Sequence, residues 1–172
     1  MFARPDAMIR PMPWDLRPVG PDFYETAPYR FSYQAVLRRP PDRVFAAIAT
    51  DPAAWGQWFP GFDHSGHWLT PDPPGVGSRR TVRVARLAYD ETILAWEAPS
   101  RFAFRLDRSA LPVATALAED YRIAPHPSGS TLDWIFAIEP RRGLRRMTGL
   151  FDPMLARLFK RAATNLERYL AE

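Results

Sequence analysis

Apolar positions change their rhythm several times along this chain, and each rhythm predicts an element. From Tyr29 the run YRFSYQAVL is short and rich in aromatic and β-branched residues, which reads as a strand. Val44, Phe45, Ile48 and Ala49 then recur at helical spacing and form one apolar face. Two prolines precede that helix, and Asp42 stands where it can cap it. Asp51-Pro52 restarts the chain as an N-cap followed by a proline at the first helical position. A second short helix should follow and end near Trp58, before Pro60-Gly61.

The middle of the chain reads as strand after strand. FDHSGHWLT leads through a turn at PDPPGVG to SRRTVRVARL, which alternates. AYDETILAWEAP, RFAFRLD, VATALAEDYRIAPH and STLDWIFAIEP follow, with turns at Pro99-Ser100 and Pro127-Ser128-Gly129. In the last of these, parity places Leu132, Trp134, Phe136 and Ile138 on one face and Thr131, Asp133, Ile135 and Ala137 on the other. Short strands joined by hairpin turns argue for one antiparallel sheet. Met147, Leu150, Phe151, Met154, Leu155, Leu158, Phe159, Ala162, Leu166, Tyr169 and Leu170 then keep helical spacing to the end of the chain. Asp152-Pro153 should either kink that helix or mark the start of its main segment. Residues 1–28 carry Pro5, Pro11, Pro13, Pro18, Pro21 and Pro28, so they predict an extended arm rather than a regular element. Trp14, Phe23 and Tyr24 could anchor that arm on the body, or serve a partner chain and so support an oligomer.

Composition narrows the chemistry. The 172 residues favour one domain with a real core, and aromatics at 13% suit either a well-filled core or an aromatic-lined cavity. There is no cysteine, which excludes disulfides, zinc-thiolate sites and a thiol nucleophile. The net charge is +4, but the arginines are spread along the chain among acids, so no nucleic-acid partner is expected. The densest cluster, RRGLRR at 141–146, reads as a solvated turn. No run is apolar enough to span a bilayer and no secretory leader is visible, so no stable membrane insertion and a cytoplasmic location are expected.

Several residues could carry chemistry. His64 and His67 lie in DHSGH, where a strand would point them to opposite faces, so they do not suit one metal. Either could still act as a base near a cavity mouth, whereas His126 sits beside a turn. Glu119 and Tyr121 share parity with Leu117 and Ile123. On an inward face Glu119 would be a buried carboxylate beside a phenol, with its pKa raised by desolvation unless an arginine such as Arg83 or Arg105 pairs with it. Glu91 is a second such acid, in parity with Tyr89 and Ile93. No nucleophile elbow, phosphate loop, dinucleotide fingerprint or zinc-protease motif is present, so neither a cofactor nor a metal is expected.

The order strand, two short helices, antiparallel strands and one long helix resembles the START/pollen-allergen-like superfamily (SRPBCC), in its polyketide cyclase/dehydrase and lipid-transport branch. The residues that carry the resemblance are PDRVF at 41–45, WGQWFP at 55–60, the strand lead-in at Gly77, EAPSRFAF at 97–104 and GSTLDW at 129–134. It covers roughly residues 29–171. The resemblance implies an α+β helix-grip domain at 29–172: a curved sheet of about seven strands around the terminal helix, with two short helices after the first strand and a cavity between sheet and helix. One helix does not fill a sheet of that size, which supports a hollow independently, unless the large aromatics fill it. The residues expected on the cavity are Trp58, Phe59, Glu91, Phe104, Leu106, Tyr121, Trp134, Phe136, Phe151, Met154, Leu155 and Leu158, with Trp55 packed at the base of the short helices. The expected function is a binding or carrier protein for a hydrophobic or aromatic small molecule, lipid-like or polyketide-like. The alternative is a cyclase or dehydratase in which Glu119, Tyr121 or a histidine relays protons. A third reading is an interaction module that uses the arm and the arginine cluster.

Overall fold

The structure is a computed structural model and describes residues 13–71 and 73–172. Residues 1–12 of the expected arm and Asp72 of the PDPPGVG turn lie outside the described residues. In chain order the elements are β1 (Trp14–Asp15), α1 (Phe23–Thr26), β2 (Tyr29–Leu37), α2 (Pro41–Ala49), α3 (Trp55–Trp58), β3 (His67–Trp68), β4 (Arg79–Val84), β5 (Leu87–Glu97), β6 (Arg101–Ser109), β7 (Ala114–His126), β8 (Gly129–Pro140) and α4 (Phe151–Tyr169). Short 3-10 turns at Pro52–Ala54 and Arg142–Leu150 lead into α3 and α4. All the strands join one antiparallel sheet, in the order β2-β8-β7-β6-β5-β4-β3, with β1 paired to β6.

The helical starts follow local chemistry. Asp51 caps its turn as expected, its carboxylate accepting from the Ala53 N–H at 2.8 Å. Asp42 does not cap α2. It lies in the first turn with no capping hydrogen bond, because Pro40 takes the N-cap position, and its charge only complements the helix dipole there. The terminal helix proper begins at Phe151, so Pro153 sits in its first turn and marks a start rather than a kink. Before it, the arginine cluster is 3-10 helical rather than a plain turn, and the Arg141 guanidinium stacks 4.9 Å from the Trp14 ring.

The two faces of the sheet are covered by different parts of the chain. On the concave face, aromatic and aliphatic side chains of β6, β7 and β8 meet α2, α3 and α4 in one core. Phe159 anchors α4 there by stacking on Trp134, with ring centroids 3.9 Å apart and planes 8° from parallel. On the convex face, Ala103, Ala116, Ala118 and Ala137 form a smooth pavement, and Val19, Phe23 and Tyr24 lie on it. Small side chains allow this close approach. The arm is therefore not simply extended: it contributes a two-residue strand and a one-turn helix. Beneath it the fully buried Asp120 is held by Arg101 and Arg122, both at 2.9 Å.

β1 occupies a particular place. The ladder between β6 and β7 ends at Arg105↔Ala118, where the two strands diverge. The arm enters that gap, pairing Trp14 with Ser109 and Asp15 with Arg108. Leu16 N–H then donates to the Asp107 carbonyl and Arg17 N–H to the Thr115 carbonyl, both at 2.8 Å, so the arm bridges both strands.

Candidate functional site

The aromatic side chains fill only one half of the space between sheet and α4. Trp55 packs against Trp58, Phe59, Phe104 and Tyr121, at 4.8, 5.8, 6.2 and 5.8 Å between ring centroids. Its indole N–H is used internally, donating to the Ile48 carbonyl at 2.8 Å. Beyond this cluster the side chains shrink to Val82, Ala114 and Leu117, and a cavity of about 200 Å³ remains. Its inner wall is buried, formed by Trp55, Phe104, Leu106, Leu117 and Glu91. Its mouth is marked by the partly exposed Phe62, Val84, Tyr89, Phe136 and Leu158 and by the exposed Val113. A larger hollow of about 650 Å³ lies along Tyr24–Arg30 beside Arg122, but it is an open trough edged by charged side chains. The smaller cavity, lined almost wholly by apolar side chains with a few polar groups, is the one that suits a small molecule.

The expected cavity residues divide. Phe59, Glu91, Phe104, Leu106, Phe136, Leu155 and Leu158 line it, and so does Glu119. Tyr121 and Trp134 have the expected parity but lie behind the wall, because α4 reaches the sheet there and Phe159 covers Trp134. Trp58 is buried but does not line the cavity: its ring packs on Trp55 and Phe59, and its backbone carbonyl accepts from Asn165 of α4 at 3.0 Å. Trp55, expected at the base of the short helices, is the tryptophan on the wall. Phe151 packs edge-on against Tyr29 of β2, and Met154 is exposed; neither lines the cavity. Leu16, Phe62, Val82, Val84, Tyr89, Ser109, Val113, Ala114, Leu117 and Phe159 also line it and were not expected. His64 and His67 are exposed and outside the lining, the latter with Nδ1 3.0 Å from the Ser65 carbonyl oxygen.

Glu119 is the chemically distinctive group on the wall. The Tyr121 hydroxyl donates to its Oε2 at 2.6 Å and the Trp134 indole N–H donates to the same oxygen at 2.8 Å. Neither Arg83 nor Arg105 pairs with it; they face Asp63 and Asp107. Oε1 has no hydrogen-bond partner among the described residues. Burial pushes the Glu119 carboxyl up to about 7, against the pull of its two hydrogen bonds; nearby Glu91 raises it further and Arg80 opposes that. With Oε2 accepting two bonds, Oε1 is the atom that gains and loses the proton. Burial and the Glu119 charge hold the Tyr121 phenol well above its ordinary range, so it stays a fixed donor. In this geometry Tyr121 positions Glu119 rather than relaying protons.

The buried ion pair of the site is Arg80–Glu91. Arg80 has no exposed surface, and its Nε donates to Glu91 Oε2 at 2.6 Å. Its two terminal nitrogens lack hydrogen-bond partners. The guanidinium is instead enclosed by the Trp55, Phe104 and Phe102 rings, at 4.7, 4.8 and 5.2 Å from their centroids. Burial raises the Glu91 carboxyl, while Arg80 pulls it down. Arg80 shares parity with Val82 on β4, a pattern that marks it as inward-facing.

Comparison with known proteins agrees with this architecture. The chain is 35% identical over 152 residues to uncharacterized proteins of Mycobacterium tuberculosis and Mycobacterium bovis, covering 88% of this chain and 90% of theirs. Among solved structures it resembles protein CV1439 from Chromobacterium violaceum, with a TM-score of 0.63 at 19% identity over 84% of this chain and 99% of that one. The allergen Ara h 8.0201 gives a TM-score of 0.63 at 11% identity, over 83% of this chain and 97% of that one. DynU16, from the dynemicin biosynthetic locus, gives 0.61 at 22% identity, over 83% of this chain but 47% of that one. These three show a shared helix-grip fold. Residues 28–171 match the family described as polyketide cyclase / dehydrase and lipid transport, and with that match spanning nearly all of the sheet and the gripped helix, the chain belongs to this family.

Proposed function

We propose that the protein binds a compact, largely apolar small molecule in the cavity between sheet and α4. The observation that carries this reading is a largely apolar, open-mouthed cavity of about 200 Å³ with Glu119 Oε1 on its wall and no protein donor to it among the described residues. Cavities on the order of 150 Å³ accept a benzene-sized guest. This one suits one ring or two fused rings, not a long acyl chain held entirely inside. Transfer of the ligand's apolar surface out of water supplies the affinity, and the carboxyl fixes its orientation. Family membership supports a hydrophobic guest.

The test is native mass spectrometry after exposure to an extract of lipids and aromatic polyketides. A stoichiometric small adduct is expected, and Leu158→Trp, which blocks the mouth, should lower its retention by about tenfold or more. An equal adduct on the blocked variant, or none on the native chain, would remove this reading.

The state of Glu119 favours a second reading, proton transfer on an enolisable ketone in a cyclisation or dehydration. A carboxyl titrating at about 7 is matched to work at neutral pH. For a substrate turned over by the protein, Glu119→Gln should lower kcat by about 100-fold or more with Kd little changed. Full kcat in that variant would exclude the role.

A further inference from the structure

The polar inventory of the cavity is one-sided. Among the described residues no arginine, lysine or histidine lines it. Its charged groups are two carboxyls, Glu91 and Glu119. The Ser109 hydroxyl is committed, donating to the Leu111 carbonyl at 2.9 Å and accepting from the Leu111 N–H at 3.1 Å. The Trp55 N–H is committed to Ile48. The nearest cation, Arg80, has no exposed surface and sits behind the Trp55 and Phe104 rings with Nε on Glu91. Glu119 Oε1 is left without a protein donor, and so is Glu91 Oε1. Tyr89, at the partly exposed mouth, supplies the one hydroxyl on the wall with no hydrogen-bond partner.

We infer that this cavity selects a ligand bearing a hydrogen-bond donor, a hydroxyl, enol or amine on a compact ring system, and rejects carboxylates. The inference rests on the cavity reading above and adds the polarity of the guest. A donor entering the site meets Glu119 Oε1 and gives this cavity-facing acceptor its missing partner, a charge-assisted bond when that carboxyl is ionised. A carboxylate entering it loses its hydration and meets two acids, while the Arg80 guanidinium lies outside the lining behind the Trp55 and Phe104 rings. Free fatty acids and aromatic acids are therefore poor guests, although both are apolar enough to enter.

Two matched probe series test this by calorimetric titration at one fixed pH near 7.5: 2-methylnaphthalene, 2-naphthol and 2-naphthoate, and their one-ring counterparts toluene, p-cresol and p-toluate. The hydroxyl compound of a series that fits should bind at least about tenfold more tightly than its methyl parent, and the carboxylate at least about tenfold more weakly. Glu119→Leu should keep the affinity for the methyl compound and lose the preference for the hydroxyl. Glu119→Gln offers Tyr121 and Trp134 its carbonyl and turns an amide N–H toward the guest, so it should narrow or reverse the hydroxyl-to-carboxylate order. If the methyl compound binds and the three members of its series bind alike, or the carboxylate binds best, the polarity inference is wrong while the cavity stands. If no member of either series binds, the cavity reading fails and this inference falls with it.

Discussion

Arg80→Met is expected to destabilise the protein by about 3–5 kcal/mol at pH 8, as removal of one partner from a buried ion pair does. The reason lies in what it leaves behind. Glu91 is 3% exposed, and among the described residues Arg80 Nε is the only group that hydrogen-bonds its Oε2. Without the guanidinium, the Glu91 carboxylate is an uncompensated charge among Trp55, Phe104 and Leu106. Three ring contacts at 4.7 to 5.2 Å are lost as well. Glu91 can escape by taking a proton, since burial already raises its pKa. The native state then holds a proton that the unfolded chain has released, so stability falls as pH rises through the folded-state pKa. The loss should accordingly be smaller at pH 5 than at pH 8. The double variant Arg80→Met with Glu91→Leu replaces the pair by apolar side chains and should recover most of the stability. Urea midpoints of the native chain and both variants at both pH values decide it; a double variant no better than the single one would show that the ion pair is not the cause.

Glu119→Gln should stabilise the apo protein above neutral pH. The folded-state carboxyl titrates at about 7 against 4.5 for the exposed group. Between those values the native chain keeps a proton that the unfolded chain loses, so stability falls as pH rises. The full loss is about 3 kcal/mol. Arg80, Glu91, Tyr121 and Trp134 all face this carboxyl, and they set its balance together. Glutamine cannot ionise and preserves the two bonds from Tyr121 and Trp134 through its carbonyl. The stability difference between variant and native chain should be near zero below pH 4.5 and approach its maximum by pH 8. A difference that does not change with pH, followed by thermal or urea unfolding, would mean that Glu119 ionises as an exposed glutamate does.

The elements of this fold were legible because each rests on a local period. Residues 29–37 alternate cleanly and form β2 over the same bounds, and the apolar stripe beyond Phe151 forms α4. The cavity was legible only by face. Parity grouped Glu119 with Tyr121, and the family resemblance put Tyr121, Phe104 and Leu106 on the inward face, but depth along a strand depends on where α4 touches the sheet, and no strand period encodes that. Tyr121 and Trp134 therefore lie behind the wall, while Leu117, one inward step from Glu119, lies on it. In α3 helical spacing does not separate Trp58 from Phe59, since both neighbour Trp55; Phe59 reaches the wall where the chain leaves the helix in an extended conformation, which no period encodes. Arg80 could have been found from its parity with Val82 and Val84, which outweighs its charge as a sign of direction. The covered convex face also left a trace: the alanines at 103, 116, 118 and 137 all fall opposite the aromatic face, where only a close-lying segment explains such small side chains.

The wedge that β1 drives between β6 and β7 has a consequence for how this protein should be handled. Leu16 belongs to the interior surface, yet it comes from a stretch upstream of residues 28–171, the part shared with the family. Trimming the chain to the shared region would unzip a seam in the container's side and let solvent reach Leu106 and Ala114 from behind. Ligand preferences measured on such a shortened chain would describe a differently shaped vessel, so binding work belongs on a chain that keeps the segment carrying β1 and Leu16.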